Sequence, residues 1–250
     1  MATAYVKLTV ENHIGTVEFC NPSHNALPSH LLKELADTIT STSTNDDIKV
    51  VILKSASDRT FCAGASFNEL ISINDLETGK TFFSGFANVI NAMRECTKLI
   101  IGRIQGKAVG GGVGLASATD YCLATKYASI KLSELSIGIG PFVIEPAVSR
   151  KMGQTAMSEM TINAEQFYDT TYAKTNKLYA NVFETIEDLD DAVSELAQKL
   201  ASYNPEALAE MKRVLWQNET HWNTLLIERA EISGRLVLSD FTKQKLASFR

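Results

Sequence analysis

Three consecutive glycines, Gly110, Gly111 and Gly112, with a fourth at Gly114, interrupt the stretch QGKAVGGGVGLASATD where a helical pattern begins. Glycine inside a helix weakens it by about 1 kcal/mol relative to alanine. A chain that keeps four of them there needs bare main chain at a helix start, and its fold has to deliver that.

Three explanations compete. A dinucleotide site requires GxGxxG, but Leu115 stands where the third glycine belongs. A phosphate loop requires GxxxxGK[ST]; the only GKT, Gly79 to Thr81, has Asn74 in place of the first glycine. The third is an oxyanion site, in which unobstructed first-turn amides, at the positive end of a helix, hold charge developing on a substrate oxygen. A tight strand-to-helix packing turn with no ligand explains this stretch alone equally well.

A second small-residue loop bears on the choice. TFCAGASFNEL follows the apolar strand pattern VVILKS, so Cys62 to Ala65 form a loop at a strand end that can bare another amide. The surrounding pattern alternates strands (YVKLTVE, GTVEFC, KVVILKS, LIIGRIQG, YCLATK, SIKLS) with helices, including a long one from about Asn74 to Thr97. From Pro146 onward helices dominate, apart from a strand at LYANVFE. This is an α/β chain with a helical C-terminal extension, divided here into a core at 1–195 and a helical region at 196–250.

Composition narrows the function. A net charge of −5 without a basic cluster argues against a nucleic-acid partner, and the densest basic stretches in the C-terminal half are adjacent pairs such as Lys212–Arg213. No run of about 18 apolar residues exists to span a bilayer. The opening MATAYVKLTVENHIG alternates like a strand and lacks a leader pattern, so a cytoplasmic protein is expected. Cys20, Cys62, Cys96 and Cys122 read as reduced thiols, and neither they nor the four histidines have metal-ligand spacing.

FCAGAS, GKAVGGGVGLASATD and LSELSIGIGP, with SDFTKQKLASF near the end, resemble in order and spacing the motifs of the crotonase, or enoyl-CoA hydratase/isomerase, superfamily. The resemblance covers nearly the whole chain. It implies a crotonase-like spiral of ββα units, C-terminal helices that help build homotrimers or hexamers, and an acyl-CoA substrate with no separate cofactor. It also implies that the amides of Ala65 and Gly111 form the oxyanion hole. Around them it places substrate-binding positions at Asn25, Ala26 and Leu27 of NPSHNALP, at Ala63, Gly64, Ser66 and Phe67, and at Gly110, Gly114 and Phe142.

Of the two glutamates that hold water in the family's hydratases, one falls on Gly114 and the other on Glu134. The single carboxylate resembles the arrangement of Δ3,Δ2-enoyl-CoA isomerases, in which one residue removes a proton and returns it. A hydratase, including one for a branched acyl-CoA, and a non-catalytic acyl-CoA binder are the alternatives. The nucleophilic aspartate of related dehalogenases falls on Phe142, which argues against covalent displacement.

Burial against Leu135, Ile137 and Phe142 is expected to raise the Glu134 pKa. Glu145 is either a surrogate acid or, the better reading, a complement to its helix dipole. Asp120 reads as a buried structural acceptor, and His24 as a surface residue near a motif. Phe82, Phe83 and Phe86 read as core packing or as an acyl-pocket wall.

Overall fold

The computed structural model describes residues 3–56 and 59–248. Strands β1 (Tyr5–Glu11) and β2 (Ile14–Cys20) form an antiparallel hairpin. Its two turn residues, Asn12 and His13, both have positive φ (49° and 66°), the conformation that matches the twist of a two-residue hairpin.

After α1 (Ser29–Ser43) the chain winds through three strand pairs. These are β3 (Val50–Ser55) with β4 (Thr60–Cys62), β5 (Leu99–Ile104) with β6 (Lys107–Val109), and β7 (Tyr121–Thr125) with β8 (Ile130–Lys131). Between the pairs run α2 (Phe67–Leu70), α3 (Leu76–Glu95) and α4 (Gly111–Ala118). A 3-10 turn, Glu134–Ile137, follows β8. Then come α5 (Glu145–Met152), α6 (Gln154–Ile162), α7 (Thr170–Thr175), β9 (Asn181–Phe183) and α8 (Ile186–Ala201). Three more helices complete the order: α9 (Pro205–Trp216), α10 (Trp222–Leu236) and α11 (Asp240–Ala247).

The first strand of each pair enters a six-stranded sheet of order β1-β2-β3-β5-β7-β9, and the second enters a three-stranded sheet, β4-β6-β8. Every pairing between named strands beyond the hairpin is parallel, so each return needs a crossover, and the result is a spiral of two strands and a helix. Helices α1 and α3 bury Leu31, Leu35, Ile39, Ala87, Ile90 and Met93 in the main core, while α8 lays Leu189, Val193 and Ala197 on Val50, Ile52, Ile101 and Leu123. This is the α/β fold expected from the alternation.

The sequence reading differs from the structure at short elements. The stretch read as the loop SASDRTFCAGAS contains β4, and the KAV that opens the glycine stretch is β6. Three residues are too few to show a period of two. The division at 195 and 196 falls inside α8, and Trp216, Trp222, Leu226 and Ala230 of the later helices share the main core.

Helix α10 packs along α3 and almost touches it at one crossing. A β-carbon on Gly79 would stand 2.9 Å from Gly234 Cα, and one on Gly234 2.7 Å from Lys80 N. All four cysteines are free thiols, and no helix among the described residues is long and apolar enough to cross a membrane.

Candidate active site

Each glycine of the run makes room for a different neighbour at the start of α4. Gly110 has φ of +52°, and its N–H donates to Lys131 O at 2.8 Å, which ties the turn to β8. A β-carbon there would stand 2.6 Å from Glu134 Oε1. On Gly111 it would run into the Phe86 ring, with Cδ1 at 2.9 Å; on Gly112 into the Cys62 carbonyl; on Gly114 into Ile144, with Cβ at 2.7 Å. Bare backbone here lets the FCAGAS loop, a phenylalanine, a carboxylate and an isoleucine all close on one helix end.

The FCAGAS loop is held from the other side. Leu27 N–H donates to Gly64 O at 2.7 Å, and Ser66 N–H donates to Leu27 O at 3.0 Å. These two bonds bracket Ala65 and turn its own N–H the opposite way, as alternation along an extended strand requires. Gly64, at φ +89°, sits where a β-carbon would lie 3.6 Å from Gly111 N, so the two loops meet. Neither the Ala65 nor the Gly111 N–H donates to an acceptor among the described residues, and both residues line one cavity of about 280 Å³.

Glu134 opens the 3-10 turn after β8, and that turn ends on Gly138 at φ +87°. The residue as a whole is half-buried, but its Oε2 is shut off from solvent and has no hydrogen-bond partner. Burial pushes its pKa from 4.5 up to about 7, because removing water disfavours the charged form. Ile137 and Phe142 line the cavity with it, as expected, whereas Leu135 is 46% exposed and outside the lining. Among the described residues Glu134 is the only ionisable side chain lining the cavity.

The structure brings together Ala26, Ala63, Gly64, Ala65, Phe67, Gly110, Gly111, Glu134 and Phe142 of the residues named from sequence. Asn25, Leu27, Ser66 and Gly114 lie outside the lining. Asn25 is fully buried; its Nδ2 donates to Thr60 O at 2.9 Å and its Oδ1 accepts from Asn21 N at 2.8 Å. Leu27 is buried in the core and pins the FCAGAS loop through its backbone. Ser66 caps α2 by accepting from Glu69 N at 3.4 Å, and Gly114 is covered by Ile144. These four therefore shape the site from behind.

Phe82, Phe83 and Phe86 form one wall, with Phe82 and Phe83 edge to face at 5.1 Å. Leu70 from α2, Ile139 and Ile144 from the segment before α5, and Ser233 from α10 also line the cavity and were not found from sequence, because none of them stands out from its neighbours by residue type. Glu145 is outside the lining and accepts from Ser149 Oγ at 2.7 Å, with Arg229 at 3.9 Å. His24 is exposed. No group of three His, Cys, Asp or Glu side chains among the described residues gathers to hold a metal.

Asp120, just past the other end of α4, is a different kind of carboxylate. It accepts from Lys212 Nζ, Trp216 Nε1 and Ile100 N, each at 2.7 Å. Its side chain is 6% exposed and that of Lys212 2%. Here a buried charge is paired and bonded, as stability demands.

Residues 9–245 match the sequence profile described as enoyl-CoA hydratase/isomerase. The chain is 28% identical over 247 residues to a short-chain-enoyl-CoA hydratase of Clostridium acetobutylicum, covering 98% of this chain and 94% of the relative. It is 30% identical over 210 residues to a peroxisomal Delta(3,5)-Delta(2,4)-dienoyl-CoA isomerase of Arabidopsis thaliana, covering 78% and 74%. Its backbone is similar to the crystal structure of enoyl-CoA hydratase from Bacillus halodurans, with a TM-score of 0.90 at 18% identity over 98% of this chain and 99% of that one, a likeness of fold. With a profile match spanning all but the ends, on the spiral fold just described, the chain belongs to the enoyl-CoA hydratase/isomerase family.

Proposed function

We propose that this enzyme moves the double bond of a 3-enoyl-CoA thioester to the 2-position, with Glu134 as the single acid–base. The observation that carries this reading is that one carboxylate, and no second ionisable side chain among the described residues, lines the cavity. The relatives quoted above bear hydratase and dienoyl isomerase names, so the choice rests on Glu134 and Gly114.

The thioester oxygen would lie between the amides of Ala65 and Gly111, which donate to nothing within the described chain. Glu134 takes a proton from C2, and the electron pair moves through C2–C3 while negative charge builds on the thioester oxygen. The two amides stabilise that charge because they are aimed before it appears. Glu134 then returns the proton at C4. A carboxyl with a pKa of about 7 suits both halves, being a stronger base than a solvated carboxylate and still an acid near neutrality.

The acyl group is apolar and uncharged. Phe82, Phe83, Phe86, Leu70, Ile137 and Ile139 line the cavity, and no cation among the lining residues could pair a free carboxylate on the acyl chain.

Hydration of a 2-enoyl thioester is the second reading, favoured by the hydratase names among the relatives. Supplying 3-enoyl and 2-enoyl thioesters separately and following the conjugated chromophore decides between them. Its appearance from the 3-enoyl thioester without 3-hydroxyacyl product supports isomerisation. Its loss from the 2-enoyl thioester, with no reaction of the 3-enoyl isomer, overturns that reading in favour of hydration.

A further inference from the structure

Gly110 caps the start of α4 and Gly114 lies one turn into it, its N–H donating to Gly110 O at 3.3 Å, so groups packed on the two glycines are about one helical turn apart. The Glu134 carboxyl packs on Gly110, and the Ile144 side chain packs on Gly114. Ile144 is 4% exposed and lines the same cavity. Its branched side chain thus takes the volume that the absent side chain of residue 114 leaves open, one helical turn from a carboxyl whose Oε2 has no partner.

A water held beside a carboxylate needs about two to four polar partners. Apart from Glu134, the polar side chains lining the cavity are Ser133 and Ser233, and the Ser233 hydroxyl is turned back toward Arg229 O at 3.3 Å. Pro141, Phe142, Val143 and Ile144 make up the adjoining wall without a side-chain donor or acceptor.

We propose that Ile144 determines reaction specificity: by filling the space over Gly114 it denies a water its second contact beside Glu134 and directs that carboxylate to move a proton within the bound acyl chain. The proposal rests on the reading of Glu134 as the base. In hydration the water oxygen bonds to C3, a water proton passes to Glu134, and Glu134 delivers a proton to C2, so one water is added across the double bond. In isomerisation the proton leaves C2 for Glu134 and returns at C4, and nothing is gained or lost. The two routes share the carboxylate and differ in whether a nucleophilic water can stand next to it.

The test compares wild type with Ile144→Ala and Ile144→Thr. Threonine keeps the β-branch that packs on Gly114 and adds a hydroxyl, so it reports even where the alanine variant folds poorly. Product analysis with 2-enoyl and 3-enoyl thioesters gives the ratio of hydration to isomerisation. That ratio is expected to rise at least about tenfold, the scale on which single side-chain contacts discriminate. The pH midpoint of isomerisation should fall at the same time, since a carboxyl that gains a water is less penalised when charged.

Folded variants that bind thioester and keep the wild-type ratio within about twofold overturn the role of Ile144. A wild-type enzyme that hydrates and does not isomerise overturns the reading of Glu134 as an isomerase base, and the role of Ile144 with it. This result is read before any substitution at 144, so the two failures are distinct.

Discussion

The two ends of α4 carry two buried carboxylates under opposite rules. Asp120, beyond the C-terminal end, accepts three hydrogen bonds and pairs with a lysine as buried as itself. Glu134, against the N-terminal end, keeps one oxygen with no partner in an apolar cavity. A satisfied buried charge holds a fold together, whereas an unsatisfied one is carried at a loss of stability and is available for chemistry. The difference between them marks Glu134 as the carboxylate to test first for a chemical role.

The largest effect expected from this contrast is on turnover. Glu134→Gln should lower kcat for isomerisation by about 10²–10⁴-fold, the usual contribution of a positioned acid–base, while thioester binding persists. Steady-state kinetics with a binding titration checks it, and near-normal turnover would break the comparison outright. Next comes Asp120→Ala, which leaves the Lys212 ammonium buried without its partner and should destabilise the protein by about 3–5 kcal/mol. Urea unfolding reads this, and the fraction that remains folded should still turn over. Loss of turnover with unchanged stability would exchange the roles of the two carboxylates.

Glu134→Gln should also stabilise, and only at higher pH. Because the folded pKa of about 7 lies above the ordinary 4.5, the native state binds the proton more tightly than the unfolded chain, and wild-type stability falls as pH rises from 4.5 through 7. Glutamine does not titrate. The variant should therefore match wild type near pH 4 and exceed it at pH 8 by at most about 3 kcal/mol. Melting curves at the two pH values test the sign. The same titration predicts that wild-type kcat/KM declines below pH 7 as the base is protonated.

The smallest effect is at Trp216. Replacing it with phenylalanine removes one donor from Asp120 and should cost about 1–3 kcal/mol of stability with kcat unchanged. A change in kcat of more than a few-fold would mean that the two ends of α4 are coupled.

The site's main chain was legible from sequence because it is made of small residues in short order. FCAGAS and GGG read as bare backbone before any fold is known, whereas Glu134 in LSEL stood out only through the resemblance to a family motif. What could not be read is what depends on distant partners. Asp120 was recognisable as an acceptor, but nothing local marks Lys212 and Trp216, 92 and 96 positions away, as its partners. Asn25 and Leu27 sit in a motif yet serve the loop from behind, a distinction set by which way each group points. Ile144 carries no signal at all, since its importance comes from the missing side chain at 114, thirty residues earlier. The strands β4 and β6 escaped because alternation cannot be seen in three residues.

The crossing of α3 and α10 at Gly79 and Gly234 reaches beyond packing. Phe82, Phe83 and Phe86 lie within the next two turns of α3, and Ser233 is the neighbour of Gly234, so the acyl wall and the C-terminal helix are riveted at one point outside the cavity. A methyl group added at either glycine would wedge the helices apart and shift the aromatic wall with them. The position of that wall therefore depends on a contact that lies outside the cavity it bounds.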